Sequence, residues 1–286
     1  MSPNTKLTTG SACSLMLALA GCASTPDPLM FDAGYDNQAG LTFSPDGQTA
    51  YWFAWDGDWG SSTAGQKTIF MATRRSQDWT KPLAMPFTGD HSDEDPFVSP
   101  DGRWLYFVSE RSRNEGGEKS KGDIWRYGLV EPHTLERLAI NSVATEFSPV
   151  VTDPGTLYFA SSRKGGPGQG DIYRADAEEN GFGEPVVLGP AVNSPTGEWN
   201  VWVSPDETRM IFEASERSTN VSVAGDLYYS TRTASGWSAA IPLKSLNGNG
   251  SDLLPRLHPD GQTLFYTTAP IGGNAAIIAT KFLTED

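Results

Sequence analysis

The sequence is poor in the residues that cross-link or metallate small domains. Of its 286 residues only Cys13 and Cys22 are cysteine, and only His91, His133 and His258 are histidine. Two cysteines so close to the start staple nothing further on, so whatever folds beyond them is held by packing alone. The histidines share no spacing suited to a zinc site and read as surface or turn residues. Cationic residues are scarce as well: 21 Lys and Arg stand against 35 Asp and Glu, a net charge of −14. That balance argues against nucleic acid and against a polybasic membrane patch, while permitting cationic partners or metal ions. No apolar run approaches the ~20 residues of a transmembrane helix. Two enzyme signatures are missing too. KGGPGQG at 164–170 lacks the G-K-[ST] ending of a phosphate loop, and Gly236-Trp237-Ser238-Ala239-Ala240 lacks the second glycine of a hydrolase nucleophile elbow.

What stands at the N-terminus is a short apolar core, LMLALA at 15–20, preceded by Lys6, which reads as an export signal. It ends in Leu19-Ala20-Gly21-Cys22, which resembles the bacterial lipobox, where the signal is cleaved before a lipid-modified cysteine. Small residues at 20 and 21 admit the peptidase, and the Cys22 thiol is the acyl acceptor. The resemblance implies a signal peptide over 1–21, a lipidated linker over 22–27 and a lipid anchor in the bacterial cell envelope, since several acyl chains hold a protein to a membrane. An Asp after the cysteine favours inner-membrane retention in such lipoproteins; Ala23 stands here, which implies the outer membrane, facing periplasm or cell surface. The alternative is an ordinary secretory signal with an incidental cysteine.

Beyond residue 27 the dominant feature is repetition. The turn in LTFSPDGQTAYWF, residues 41–53, returns in FVSPDGRWLYFV, WVSPDETRMIF and RLHPDGQTLFYT, and as Thr152-Asp153-Pro154-Gly155. The turn aspartates Asp46, Asp101, Asp153, Asp206 and Asp260 are 55, 52, 53 and 54 residues apart. Pro presets φ, Asp and Ser bond back to the backbone and Gly accepts positive φ; Glu207 replaces that glycine in the fourth unit and predicts its most strained turn, or a different turn type. Two further elements keep the same beat: KTIFMATR, DIWRYG, DIYRAD, DLYYSTR and AAIIATKF, then a Trp or Phe followed by an apolar stretch. The strands after the turns are apolar on both faces, as in a sheet sandwiched between neighbours. Four short strands at a period near fifty predict an all-β fold, a β-propeller of five blades of four antiparallel strands over residues 28–286. Six blades is the alternative. The fifth unit shows three strands, and residues 28–31 align with the outer strand that precedes the second unit. They are expected to complete the fifth blade and clasp the ring.

These repeats resemble the WD40-like, Pro-Asp-containing propeller repeats of the TolB type found in many envelope lipoproteins. The likeness covers about residues 28–283 and rests on SPDG at 44–47 and 99–102, LYFVSER, LYFASSR, GDIYRAD and GEPVVLGPAVNS. It implies the propeller fold but no single function, since such folds host many.

Candidate binding residues are acids that precede the first strand of each unit: Asp93, Glu94, Glu146, Glu198 and Asp252. In a propeller that strand lines the channel, so they could ring its mouth and receive a cationic partner or Ca²⁺. Arg111, Arg163 and Arg217 end the second strands, where an antiparallel hairpin would pair them with those acids instead. Asp252 has no such arginine, which marks it as a possible Ca²⁺ ligand; no other cofactor is expected. Trp52, Trp55 and Trp59, with Asp56 and Asp58, form an aromatic and acidic stretch that either stacks on sugar rings or packs on a blade edge. The functional expectation is a non-enzymatic, lipid-anchored scaffold binding an envelope protein or glycan. The rival is a carbohydrate-active enzyme or lectin using acids and aromatics at a channel mouth.

Overall fold

The computed structural model describes residues 31–58, 65–76, 78–114, 117–270 and 272–282. These form five antiparallel sheets arranged in a ring, a five-bladed β-propeller, with no α-helix among them. The inner strands are Asn37–Phe43, Asp93–Val98, Glu146–Val151, Gly197–Val203 and Ser251–Leu257. Each pairs with a second strand (Thr49–Trp55, Trp104–Ser109, Leu157–Ser161, Arg209–Ser215 and Thr263–Ala269) across the repeated turn. Third strands follow at Thr68–Arg75, Asp123–Gly128, Asp171–Ala175, Asp226–Thr233 and Ala276–Lys281. Outer strands at Leu83–Ala84, Leu135–Arg137, Val186–Val187 and Ile241–Pro242 finish four blades; the fifth has three strands among the described residues.

All five turns use one hydrogen bond. The N–H of Gly47, Gly102, Gly155, Glu207 and Gly261 donates three residues back, at 2.8–2.9 Å. Glu207 keeps the turn type and adopts φ 56° in doing so, a strained setting for a residue with a Cβ. Thr152 Oγ1 donates to its carboxylate at 2.8 Å and offsets part of that strain from the neighbouring blade. Asp46, Asp101, Asp206 and Asp260 accept the N–H two residues on, at 2.8–3.1 Å.

The second strands are buried on both faces, as their composition requires; Leu157–Ser161 is buried at every position. Successive blades share apolar clusters, one of which joins Leu41, Phe43 and Trp52 of the first blade to Phe265 and Ile277 of the fifth. One backbone bond recurs at all five seams. The carbonyl just before a third strand accepts the N–H of the next inner strand: Lys67 from Asp93, Gly122 from Glu146, Gly170 from Glu198, Gly225 from Asp252 and Ala275 from Gln38, at 2.9–3.1 Å. The last of these closes the ring, reinforced by Asn37 Oδ1 accepting from the Ala275 N–H at 2.8 Å.

The expected clasp at 28–31 lies outside the described residues except for Phe31. That ring is fully buried in the seam between first and fifth blades, 5.1–6.0 Å from the rings of Trp79, Trp52 and Phe43. Phe31 is not itself part of a strand.

Candidate functional site

Most of the repeated motif is architectural. Arg163 donates from Nη2 to Glu146 Oε1 at 3.0 Å, Arg217 to Glu198 Oε1 at 2.7 Å and Arg111 to Asp93 Oδ1 at 2.8 Å. Each guanidinium lies over two rings of its own blade, Arg163 over Phe159 and Tyr173 at 5.0 and 5.1 Å, Arg217 over Phe212 and Tyr228 at 5.3 and 4.6 Å. This explains why LYFxS, the arginine and DIY travel together: the aromatics are the plinth for the cation. The Asn-Ser pair of the preceding connection completes the arrangement. Asn193 exchanges bonds with the Ile172 backbone, while the Ser194 N–H and hydroxyl both donate to Glu198. Asn141 and Ser142 do the same for Ile124 and Glu146.

The proposed acidic ring therefore divides. Asp93, Glu146, Glu198 and Asp252 are buried and turned into seams between blades. Glu94 alone of the five lines a channel mouth. Its partner is Lys67 Nζ and not Arg111, which belongs to Asp93. Asp252 accepts the Gly248 N–H at 2.6 Å. Burial pushes its carboxyl up, bonds from Gly248 and Thr268 oppose this, and Asp226 adds to the rise. Among the described residues no three His, Cys, Asp or Glu side chains converge on a metal-sized site. Trp52 and Trp55 lie within the strand Thr49–Trp55 and are buried, so they pack and do not face a ligand. Trp59 lies outside the described residues.

The channel itself is shaped by a feature without a local signature. Each inner strand slips register once, at a residue in the left-handed region: Gly40, Asp95, Ser148, Asn200 and Leu254, with φ of 45–66°. Only the first is glycine, and there a Cβ would come within 2.8 Å of the Phe53 ring. Such bulges re-aim side chains. Here they set residues that break the fivefold repeat around a cavity of about 410 Å³ at one mouth. It is lined by Lys67, Glu94, Asp95, Phe147, Trp199, Asn200 and Glu213, with apolar Phe53, Leu253 and Leu254. Lys67 occupies the position held by Gly122, Gly170 and Gly225 in the next three blades. Glu213 occupies, by pairing with Trp199, the position held by Phe53, Val108 and Ala160. Gly225 is required because the Glu213 carboxylate lies where its Cβ would be.

The electrostatics of this mouth are muted. Burial pushes the Glu213 carboxyl up to about 8; the Asn200 amide, which donates to Oε2, opposes this, and Asp95, Asp252 and Asp226 add to it. Burial and then Glu94 raise Asp95, against the pull of Lys67 and Arg256. Burial lowers the Lys67 ammonium, but Glu94 more than restores it. The mouth thus offers two buried carboxyls whose charged forms are disfavoured, one ion pair, an amide, and the edge-to-face rings of Phe147 and Trp199 5.4 Å apart.

No protein-family profile and no curated protein matches the sequence. Solved structures do match. The chain is similar to an α-L-arabinofuranosidase from Lactobacillus brevis at TM-score 0.53 and 13% identity, over 90% of this chain and 92% of that one. It is similar to a putative exo-β-1,3-galactanase from Bifidobacterium bifidum at 0.51 and 13%, over 87% and 88%, and to a putative glycosidase from Bacteroides thetaiotaomicron at 0.51 and 9%, over 87% and 88%. It also aligns with part of a larger protein, spanning 26% of tricorn protease at TM-score 0.50 and 12% identity. At these identities the likeness is one of fold, and the shared fold is the propeller.

Proposed function

We propose that the propeller binds a glycan at the mouth formed by Lys67, Glu94, Asp95, Trp199 and Glu213, and that Cys22 tethers it to the bacterial envelope as a lipoprotein of the TolB-like propeller type. The observation that carries the glycan reading is the pairing of aromatic faces with carboxyls whose charge is largely cancelled. A cationic ligand needs unbalanced carboxylates. Here Glu94 is neutralised by Lys67, and Glu213 keeps its proton up to about pH 8. A neutral, hydroxyl-rich molecule suits such a site: its C–H faces stack on Trp199 and Phe147, and its hydroxyls meet the carboxyls and the Asn200 amide. The cavity volume falls within the ~300–1,000 Å³ of ordinary ligand sites.

Hydrolysis is the second reading, favoured by the co-location of a buried carboxylic acid, Glu213, with an ion-paired carboxylate, Glu94. An acid and a carboxylate flanking one sugar are what glycoside cleavage needs. Structural neighbours named as an arabinofuranosidase and a galactanase add that this fold accommodates sugar chemistry.

A glycan array followed by titration calorimetry tests the binding. Trp199→Ala should weaken the best ligand at least tenfold; an empty array, or binding untouched by that change, removes the proposal. Reducing-sugar release from the same ligand, abolished in Glu213→Gln with binding retained, selects the enzyme. The anchor is tested separately: full-length protein should enter the detergent phase of a Triton split and Cys22→Ala should not.

A further inference from the structure

The opposite mouth of the channel has a different chemistry. Ringed by the repeated turns, it holds a half-enclosed hollow of about 380 Å³. Phe97, Trp202 and Leu257 make its walls from three blades, and the turn prolines Pro45, Pro100, Pro205 and Pro259 make its rim. Arg256 lines it too and is only 2% exposed. Its Nη1 donates to the carbonyls of Pro255 at 2.8 Å and Val201 at 3.1 Å, and its Nη2 to Ser148 Oγ at 2.9 Å. The Nε–H has no acceptor.

The contrast with the plinth arginines is informative. Arg111, Arg163 and Arg217 each have a carboxylate oxygen within 3.0 Å. Among the described residues no carboxylate lies within ion-pair distance of Arg256. The nearest is Asp95, one residue removed: its Oδ2 accepts the Ser148 N–H at 2.9 Å while Ser148 Oγ accepts from Arg256, and burial disfavours the charge it would need to serve as the counter-ion. A guanidinium taken out of water with neutral acceptors alone and one donor unused is a cation short of its anion.

We propose that this hollow binds a molecule with an apolar body ending in a single carboxylate, which Arg256 neutralises. A planar carboxylate suits the guanidinium fork. One buried cation balances one negative charge, whereas a phosphate dianion would carry an uncompensated charge into apolar walls. Arg209, also on the wall and without an ion pair among the described residues, adds a second attraction; Asp153 opposes it from an exposed position where water screens it. Because Nε is sheltered from solvent, engaging it takes a small rotation of the fork. The C-terminus of an extended peptide and a small aliphatic acid share this chemistry.

Titration calorimetry on the full chain in detergent separates them. The probes are acetyl-Ala-Ala-Leu with a free carboxylate, hexanoate, and the amide of each. The structure calls for saturable binding of at least one acid, with its amide at least tenfold weaker. Binding by the tripeptide alone identifies a peptide terminus as the ligand, and binding by hexanoate alone a small acid. Arg256→Met should lose at least tenfold and Arg256→Lys less, while Arg209→Gln should weaken binding and flatten its salt dependence. Acid and amide binding alike, neither acid binding below millimolar, or Arg256→Met binding as the parent does each overturns the proposal. The acid–amide comparison needs no variant, so it holds even if Arg256→Met does not fold. The site is at the far mouth from Trp199, so loss of glycan binding would leave it standing.

Discussion

Glu213 is held by two opposed influences, a buried position that expels its charge and an amide that would welcome it. Burial wins, and the carboxyl keeps its proton up to about pH 8 against an ordinary value of 4.5. The folded protein therefore binds a proton that the unfolded chain has already released, so the contribution to stability is intact below pH 4.5 and drains away as pH climbs through 8. At about 1.4 kcal/mol per pKa unit the effect amounts to a few kcal/mol. Glu213→Gln cannot ionise and retains a partner for Asn200. It should melt higher than the parent at pH 9 and close to it at pH 5; equal melting at both values would show that Glu213 is not buried as described. Asp95 shifts in the same direction, so Glu213→Gln itself should still lose some stability toward alkaline pH. None of these residues announces itself in the chain. Glu213 sits in a strand that reads as apolar, and Asp95 follows an acid that looked the better candidate. Only the register slip at Asp95 and Asn200 turns them toward a common space.

At the level of a blade, the module of acid, arginine, two rings and Asn-Ser accounts for most of the motif, and much of it was legible. The distance of Glu146 before the turn and of Arg163 after it placed them side by side in an antiparallel hairpin, and they are. The exchange of partners around Glu94 was not legible, because Lys67 belongs to the preceding blade and enters where three other blades have glycine. Arg163→Ala leaves the Glu146 carboxylate, whose side chain has no exposed surface, without its cation. Removing one partner of such a pair typically costs about 3–5 kcal/mol, which urea unfolding would register as a lower midpoint. Asp252 has no arginine to lose, and Asp252→Asn should be neutral or stabilising above pH 7, since burial already disfavours its charge. The same variant tests calcium. If Asp252 holds the ion, millimolar Ca²⁺ raises the melting temperature of the parent and not of the variant; no rise in the parent removes calcium from this site.

For the whole molecule, five recurring units at a period of about fifty residues pointed to five blades, with six as the alternative, because such a unit has few other ways to bury strands that are apolar on both faces. What periodicity could not supply was the difference between the two mouths. One gathers carboxyls, an amide and paired rings, the other an apolar wall over Arg256, and the residues that distinguish them stand where the blades disagree with one another. Phe31 matters at this scale because it fills the seam between first and fifth blades. Phe31→Ala should cost about 3–5 kcal/mol, seen as a melting temperature lowered by many degrees; a change of under a degree would mean the seam closes without it.

The backbone bond that the Gln38 N–H donates to the Ala275 carbonyl, at 3.1 Å, repeats in kind the four bonds of 2.9–3.0 Å at the other seams. A wheel whose final joint repeats the bond of all its others, with Asn37 and Phe31 added to it, is given no starting point by that bond. Any blade could be encoded first, and reordering the chain by rotation would alter only which loop is cut.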